Sequence, residues 1–234
     1  TASLAPQMLF GTPIYGSVTS DYAYLPYRNV NNGSVTLDNS LGRFDVAPAL
    51  RIPMSRLSFL SVNTSAAHRT TYYTKSATNG LLTSEPLLRQ YLLLRSDVVG
   101  PVLTRIWDTP GSAATERMKH VIEPTFTFDY ITEIGNQTRV PFISDVSDFV
   151  VGGAARYTYG LNNRFFYRAR PTEGGLRGQT REFVTVGLQQ TYYSNRQSSR
   201  YDTSYVTASS RPKLVDLSPL ALTVRVSPTA IVDA

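Results

Sequence analysis

Three stretches of alternating side chains decide the fold of this chain. The first, Met-Lys-His-Val-Ile-Glu-Pro-Thr-Phe-Thr-Phe-Asp-Tyr, covers residues 118–130. The second, Ala-Arg-Tyr-Thr-Tyr-Gly-Leu-Asn-Asn-Arg-Phe-Phe-Tyr-Arg, covers 155–168. The third, Arg-Glu-Phe-Val-Thr-Val-Gly-Leu-Gln-Gln-Thr-Tyr-Tyr-Ser, covers 181–194. Neighbouring side chains of a β-strand point to opposite faces, so each stretch predicts a strand with one apolar and one mostly polar face.

The same alternation extends over most of the chain and predicts about eight strands and no helix. The expected strands cover residues 8–24, 43–52, 57–74, 87–107, 118–132, 154–168, 181–194 and 217–226. Between them we expect turns at Asn31-Asn32-Gly33, at Pro53-Met54-Ser55-Arg56 and at Thr78-Asn79-Gly80, and loops at 108–117, 133–152, 170–180 and 194–213, the last of them long and mobile. The fold class is therefore all-β and antiparallel.

The stretch 87–107 permits two interpretations. Arg89, Arg95, Asp97 and Arg105 all occupy odd positions, and this parity favours one long, bulged strand. The Gly100-Pro101 pair inside it is instead typical of a tight hairpin turn. Pro48 and Pro124 both stand inside alternating runs, where a residue without an N–H cannot donate a ladder hydrogen bond. Their similar placement suggests related strand entries or bulges rather than failed strands.

Composition limits the class of protein. Charged residues make up 17% of the 234 residues and aromatic residues 11%, including 15 tyrosines, which is a poor match to a disordered chain. Tyrosine suits both strands and the boundary between water and a membrane. With no cysteine, this segment can hold neither a disulfide nor a thiolate site. No apolar run is long enough for a transmembrane helix, and a signal peptide is either absent or already removed.

A search for catalytic signatures finds none. The two histidines, His68 and His120, stand in strand patterns without metal-ligand spacing. Gly174-Gly175-Leu176-Arg177-Gly178 lacks the lysine and helix of a phosphate-binding loop, so we interpret it as a hairpin tip. The spacing of Glu123, Asp129, Asp145 and Asp148 selects no pair of carboxylates. We therefore expect no enzyme activity, no catalytic residue, no metal and no cofactor.

Several motifs resemble one family, the lipopolysaccharide (LPS) assembly proteins of the Gram-negative outer membrane (LptD, also called OstA or Imp). The resemblance is carried by His-Val-Ile-Glu-Pro at 120–124 and by Arg-x-Thr-x-Gly-Leu-x-Asn-Arg at 156–164. Glu-Phe-Val-x-Val-x-Leu-x-Gln-x-Tyr-Tyr at 182–193 follows the same pattern, as do Gly-Arg-Phe-Asp-Val-Ala-Pro-Ala-Leu at 42–50 and Leu-Ser-Pro-Leu-Ala-Leu at 217–222.

The resemblance implies a transmembrane β-barrel in the cell outer membrane that moves LPS to the outer leaflet. Residues 1–234 would form a single segment of that barrel, either closed by itself or an arc of a larger barrel. An N-terminal periplasmic domain and further strands would lie outside this chain. The implied partners are LPS, outer-membrane lipid, a plug lipoprotein (LptE-like) and a periplasmic bridge protein (LptA-like), the last bound through the missing domain, with no nucleic acid. Disulfides known from the family are not implied for this segment.

The polar faces supply the candidate functional residues. Arg156, Asn162, Arg164 and Arg168 share one face of the strand at 154–168. If that face lines a lumen, these side chains could meet the phosphates and sugars of LPS, since arginine binds phosphate bidentately. Alternatively, they hydrate the lumen or pair with carboxylates of neighbouring strands. Two other functions stay open at this point, a soluble jelly-roll interaction protein and a porin-like barrel.

Overall fold

A computed structural model describes residues 1–26, 28–31, 34–79, 81–141, 150–170, 178–202 and 213–227. The described chain is all-β, as the alternation predicts. Its strands are β1 (Ala2–Met8), β2 (Tyr15–Leu25), β3 (Arg28–Asn31), β4 (Ser34–Asp38), β5 (Leu41–Leu57), β6 (Leu60–Tyr73), β7 (Ser76–Thr78), β8 (Leu81–Thr83), β9 (Leu87–Val99), β10 (Leu103–Asp108), β11 (Thr115–Ile131), β12 (Ala154–Ala169), β13 (Thr180–Tyr193) and β14 (Ala221–Val226). Two short 3-10 helices, Gln137–Arg139 and Arg196–Tyr201, accompany them.

Ten of these strands form one antiparallel sheet in which strands adjacent in sequence are also adjacent in space. The order is β1-β2-β5-β6-β9-β11-β12-β13-β14. β10 pairs with β11 on the same side as β9 and follows it end to end. β3–β4 and β7–β8 are separate hairpins within the connections. Among the described residues, β1 and β14 each pair on one side only, so this sheet is open. No helix in the described ranges is long and apolar enough to span a membrane.

Each expected strand is present in the sheet, but some ends differ. Residues 9–14, placed within the first expected strand, form a turn in which Phe10 and Gly11 have φ of 52° and 68°, and β1 precedes it as an additional strand. The segment Pro53 to Arg56, expected as a turn, belongs to β5, because Ile52 and Met54 continue its apolar face opposite Thr64 and Val62 of β6. The last strand begins at Ala221 rather than at residue 217.

The stretch 87–108 is a bulged long strand and not a hairpin. β9 and β10 run in the same direction along β11, with Val99 opposite Thr125 and Leu103 opposite Ile122. The extra residue lies against Pro124, which has no N–H and instead accepts a hydrogen bond from Gly100 N at 2.8 Å. The bulge shifts the register by one residue. Arg105 therefore lies opposite His120 on the apolar face, which corrects the assignment from parity.

The connections differ between the two edges of the sheet that are formed by the ends of its strands. One edge, the short-turn edge, carries the turn at Ser58-Phe59 and the connections 9–14, 109–114 and 170–179. The opposite edge, the long-loop edge, carries 26–40, 74–86, 132–153 and 194–220. The β3–β4 and β7–β8 hairpins flank the expected turns at 31–33 and 78–80, of which Asn32, Gly33 and Gly80 lie outside the described residues.

The first part of the loop expected to be long and mobile, 194–213, is instead packed. The Asn195 side chain accepts a hydrogen bond from Gln197 N at 3.0 Å and caps the second 3-10 helix. Tyr193 Oη donates to Asp202 Oδ2 at 2.7 Å, and both residues are buried. Residues 203–212 are outside the described chain, as are 142–149 and most of the expected hairpin tip at 174–178.

Candidate functional surface

Cross-strand register sorts the side chains of the sheet into two continuous faces. Phe128 lies opposite Tyr157, and Tyr157 opposite Tyr192, on the face that we call the apolar face. Asp129 lies opposite Arg156 on the other, the polar face. Because the alternation stays in register from strand to strand, each face is predominantly apolar or predominantly polar across the sheet, with single exceptions such as Arg105 and Phe166.

The centre of the polar face is a chain of ion pairs. Arg95 holds Asp97 with two hydrogen bonds of 2.8 Å and also reaches Asp129 at 3.1 Å. Arg156 binds the other oxygen of Asp129 at 3.2 Å, and Thr127 donates to Asp97 at 2.8 Å. These residues come from three adjacent strands, β9, β11 and β12. Their charges therefore neutralise one another across the middle of the sheet.

A second ion-pair cluster lies nearer the short-turn edge. Arg164 donates to Glu182 Oε2 through Nε at 2.9 Å and through Nη2 at 2.5 Å. Its Nη1 lies 3.7 Å from Glu123 Oε2, and Thr185 Oγ1 donates to the second oxygen of Glu182. The Glu123 carboxylate thus lies beside an arginine of the neighbouring strand.

A third cluster occupies β2, β5 and β6. Arg69 Nε donates to Asp45 Oδ2 at 2.7 Å, and Thr71 donates to Asp45 Oδ1 at 3.2 Å. Arg43 lies 3.6 Å from Asp21. As in the central chain, arginines of this cluster contact carboxylates of neighbouring strands, here diagonally, so they are largely compensated.

The four residues singled out from the sequence all lie on the polar face, but they differ in their contacts. Arg156 and Arg164 pair with carboxylates, the alternative that the sequence left open. Asn162 stands between Glu123 of β11 and Gly187 of β13. Arg168 lies opposite Arg117 and makes no ion pair within the described chain. Between Arg164 and Arg168 lies Phe166, opposite Lys119 of β11. The sequence analysis missed this pair, because it depends on the register of the two strands.

The apolar face is uncovered. Its side chains include Tyr22 at 65% exposure, Leu50 at 47% and Leu222 at 63%. Buried apolar side chains form only a small described cluster, Leu41, Tyr73 and Leu87, on the polar face. The accessible surface of the chain is 15523 Å², against about 10,500 Å² for a compact soluble protein of 25.9 kDa. Exposed apolar side chains on adjacent strands therefore form a continuous surface, and such a surface marks an interface with another apolar phase.

Aromatic side chains border the apolar face at both edges. Near the long-loop edge two registered sets run across the strands, Tyr22, Phe44 and Tyr72, and Phe128, Tyr157 and Tyr192. Near the short-turn edge lie Trp107, Phe165, Tyr167 and Phe183. Aliphatic side chains such as Val18, Leu50, Val98, Leu161, Leu188 and Val224 fill the band between them.

Polar side chains on the apolar face bond to one another. Thr64 lies 3.1 Å from Ser96, and Tyr159 Oη donates to Gln190 Oε1 at 2.7 Å. These pairs belong to adjacent strands and leave fewer donors and acceptors in need of water. Such local pairing is what a surface in contact with an apolar medium requires.

The loops of the long-loop edge fold over the polar face. Arg139 donates to Ser76 Oγ at 3.2 Å and lies 2.6 Å from Glu85, which ties the segment after β11 to the β7–β8 hairpin. Val140 packs against the buried cluster of Leu41, Tyr73 and Leu87. The polar face is thus partly covered at this edge.

An exposed ion pair fixes the connection to β14 at the same edge. Arg196 holds Asp216 with two hydrogen bonds of 2.6 Å. The donated hydrogen bonds lower the pKa of the Asp216 carboxyl below its ordinary value. Asp216 in turn accepts the N–H of Tyr193 through its carbonyl at 2.8 Å, so the pair links this connection to β13.

The histidines have structural surroundings. His120 stacks on Phe165 with ring centroids 4.2 Å apart, and its Nε2 lies 3.1 Å from Asn163 Oδ1. His68 is exposed beside Thr70. Among the described residues, no group of three or more histidine and carboxylate side chains could hold a metal ion, while Asp145 and Asp148 fall outside those residues.

Comparison with known proteins assigns no family. No protein-family model matches the chain, and no curated protein matches it. Any function must therefore be argued from the two faces of the sheet and from the strand motifs.

Proposed function

We propose that this chain forms part of the wall of an outer-membrane β-barrel that transports lipopolysaccharide to the outer leaflet. The observation that carries the membrane assignment is the uncovered apolar face, bordered by aromatic side chains at both edges. In transmembrane barrels, such girdles flank a lipid-facing band about 25 Å tall.

The dimensions support this assignment. Tyr157 and Tyr167 stand in opposite aromatic borders of the same strand, β12. Ten positions at about 3.3 Å each separate them by about 33 Å along the strand. With the usual tilt of about 40°, this corresponds to about 25 Å across the membrane, the height expected of the apolar band.

The connections support an orientation. Outer-membrane barrels have short periplasmic turns and longer extracellular loops. The short-turn edge would then face the periplasm and the long-loop edge the cell exterior. Arg105 on the apolar face would sit beside the periplasmic aromatic border, where a cation can reach lipid phosphates. Polar-face ion pairs would face a water-filled lumen.

The transport of lipopolysaccharide rests on the strand motifs that resemble the LPS assembly family. In that proposal the open sheet is an arc of a larger barrel, and a plug lipoprotein occupies the lumen. A periplasmic bridge protein delivers LPS through a domain outside this chain. The barrel catalyses no reaction and needs no cofactor. The polar face guides the saccharide and the phosphates, while the acyl chains of the lipid remain in apolar surroundings.

The jelly-roll alternative fits the topology less well. A jelly roll needs Greek-key crossings between two sheets that cover each other. Here the sheet is a sequential meander, and the described chain contains no second large sheet over its apolar face. A porin-like barrel would share the architecture and differ only in its cargo.

A crosslinking experiment in cells tests the cargo. A photo-reactive amino acid replaces Asn162, on the polar face, or its neighbour Leu161, on the apolar face, in the full-length protein. Both positions lie at the middle of β12, so the two probes differ in the face that they occupy and not in depth. We expect energy-dependent LPS adducts at position 162 and none at 161.

Adducts at 161 alone would mean that the apolar face, and not the polar face, lines the path of LPS. An absence of LPS adducts at both positions, with the protein correctly inserted, would refute LPS transport. A stable monodisperse monomer in detergent-free buffer would refute the membrane assignment itself, because an apolar band of this size cannot stay hydrated without association.

A further inference from the structure

The polar face carries a compact group of cations at the short-turn edge, and we call it the basic cluster. Its members are Arg117 and Lys119 of β11 and Arg168 of β12. Arg117 lies directly opposite Arg168, and Lys119 lies opposite Phe166 two positions further along the strands. All of them therefore project from the same side of two adjacent strands.

The basic cluster is compensated only in part. Arg117 binds Asp108 at 2.7 Å. Within the described chain, Lys119 and Arg168 make no ion pair. Like charges placed directly opposite each other destabilise a sheet, so the Arg117–Arg168 juxtaposition has a free-energy cost. In the centre of the same face, by contrast, Asp129 stands opposite Arg156.

A second feature points in the same direction. Phe166 is an aromatic side chain on the polar face, where the sequence alternation would place a polar residue. The β13 bulge next to Phe165 and Phe166 puts Glu182 opposite it. Lys119 Nζ lies 5.4 Å and the Arg164 guanidinium 5.1 Å from the ring centroid. Phe166 thus holds Lys119 beside Arg164 by cation–π attraction and not by a carboxylate, which leaves the ammonium available to an anion.

We propose that the basic cluster is a phosphate-binding subsite at the periplasmic end of the lumen, with Lys119 and Arg168 as its ligands. This rests on the proposed function, and the ligand is a phosphorylated glycolipid. The planar guanidinium of Arg168 is suited to binding two phosphate oxygens. Lys119 adds a point charge two positions further along the paired strands. Bound phosphate also removes the repulsion between Arg117 and Arg168.

The test measures binding by the purified full-length protein in zwitterionic detergent. The probe is lipid A that carries both of its phosphates, compared with the dephosphorylated compound. The double variant Lys119→Gln/Arg168→Gln removes the two unpaired cations. Arg51→Gln is the matched control, because Arg51 is an exposed polar-face arginine hydrogen-bonded to Asn63 at 2.9 Å on β5 and β6. Resistance to protease verifies that each variant is folded.

We expect the double variant to weaken binding of phosphorylated lipid A by at least about tenfold and Arg51→Gln by less than about twofold, since a charge-assisted phosphate contact is strong. The wild-type protein should bind the dephosphorylated compound as weakly as the double variant binds the phosphorylated one. Equal binding by wild type and double variant would overturn the subsite, and so would equal losses in the control.

This outcome is separable from the test of transport. If LPS adducts form at position 162 in cells while the basic cluster proves irrelevant to lipid A binding, the subsite is wrong and transport stands. If a photo-reactive residue at position 168 captures an acidic protein instead of LPS, the basic cluster is a protein contact and the glycolipid subsite is refuted.

Discussion

A matched pair of arginine substitutions on β13 tests the two faces most directly. Leu188 lies on the apolar face opposite Leu161 and Leu222, and its neighbour Gln189 lies on the polar face opposite Gly160 and Ala221. Both are flanked by the same strands, so Leu188→Arg and Gln189→Arg differ mainly in the medium that receives the charge.

The structure gives the depth of the substitution. Leu188 stands four positions from Tyr192 of one aromatic border and seven from Arg181 at the other end of the strand. At about 3.3 Å per residue and a tilt of about 40°, these intervals are about 10 Å and 18 Å across the membrane. Leu188 therefore lies well inside the apolar band. Arginine there should cost about 2–4 kcal/mol, whereas Gln189→Arg should stay within about 0.5 kcal/mol.

The assay is equilibrium unfolding by denaturant of the protein reconstituted in lipid vesicles, with the free energy extrapolated to zero denaturant. Leu188→Ala separates the loss of cross-strand packing, about 1 kcal/mol or less, from the cost of the charge. Equal costs for the two arginine variants would mean that the assigned register is wrong or that both faces are covered. A cost below about 0.5 kcal/mol at Leu188 would show that the apolar face meets water.

Three further predictions concern the backbone, the ion pairs and pH. Gly100 has φ of 112°, and a Cβ there would lie 2.2 Å from Phe59 O, so Gly100→Ala should destabilise the protein by about 2 kcal/mol or more. A Cβ at Gly111 would have no atom within 4 Å, so Gly111→Ala should be nearly neutral in the same unfolding assay. Asp129→Asn removes the carboxylate shared by two arginines; because one of them is half exposed, we expect a loss of about 0.5–1 kcal/mol, and a loss above about 3 kcal/mol would mean that the site is dry. Because the pKa of Asp216 is lowered, its contact with Arg196 is stabilising at neutral pH, and this contribution should disappear as the pH falls below the ordinary value of 3.8. Amide exchange of Tyr193 should then accelerate beyond its intrinsic pH dependence. Unchanged protection of this amide would contradict the role of the ion pair in holding the connection to β13.

The strands could be predicted because alternation is a local signal. The runs at 118–130, 155–168 and 181–194 lie in β11, β12 and β13 nearly end to end. Failures occurred where proline marks a possible break but the sequence does not show whether the strand ends, shifts its register or continues. Arg105 changed faces because one extra residue near Gly100 shifts the register against Pro124. The turn expected at Pro53 failed because proline is tolerated within β5, which continues to Leu57.

The candidate site could be predicted only in part, because contacts across strands depend on register. Sequence placed Arg156, Asn162, Arg164 and Arg168 on one face, and they share it. Sequence could not decide which of them pair with carboxylates, since Asp129 and Glu182 lie far from them along the chain. Parity places Phe166 on the face of Arg164 and Arg168, but only the register shows that Lys119 lies opposite its ring.

The distribution of charge along the polar face bears on how a lumen of this kind would work. A pathway must bind its cargo well enough to admit it and weakly enough in the middle to release it. The central arginines are occupied by Asp97 and Asp129, so an anion passing them would have to displace an intramolecular partner. Cations that make no ion pair within the described part of the chain stand instead at the short-turn edge, at Lys119 and Arg168. A phosphorylated glycolipid would therefore meet its strongest attraction where it enters from the periplasm. Beyond that point it would find a hydrated but neutralised wall, over which movement toward the long-loop edge costs little.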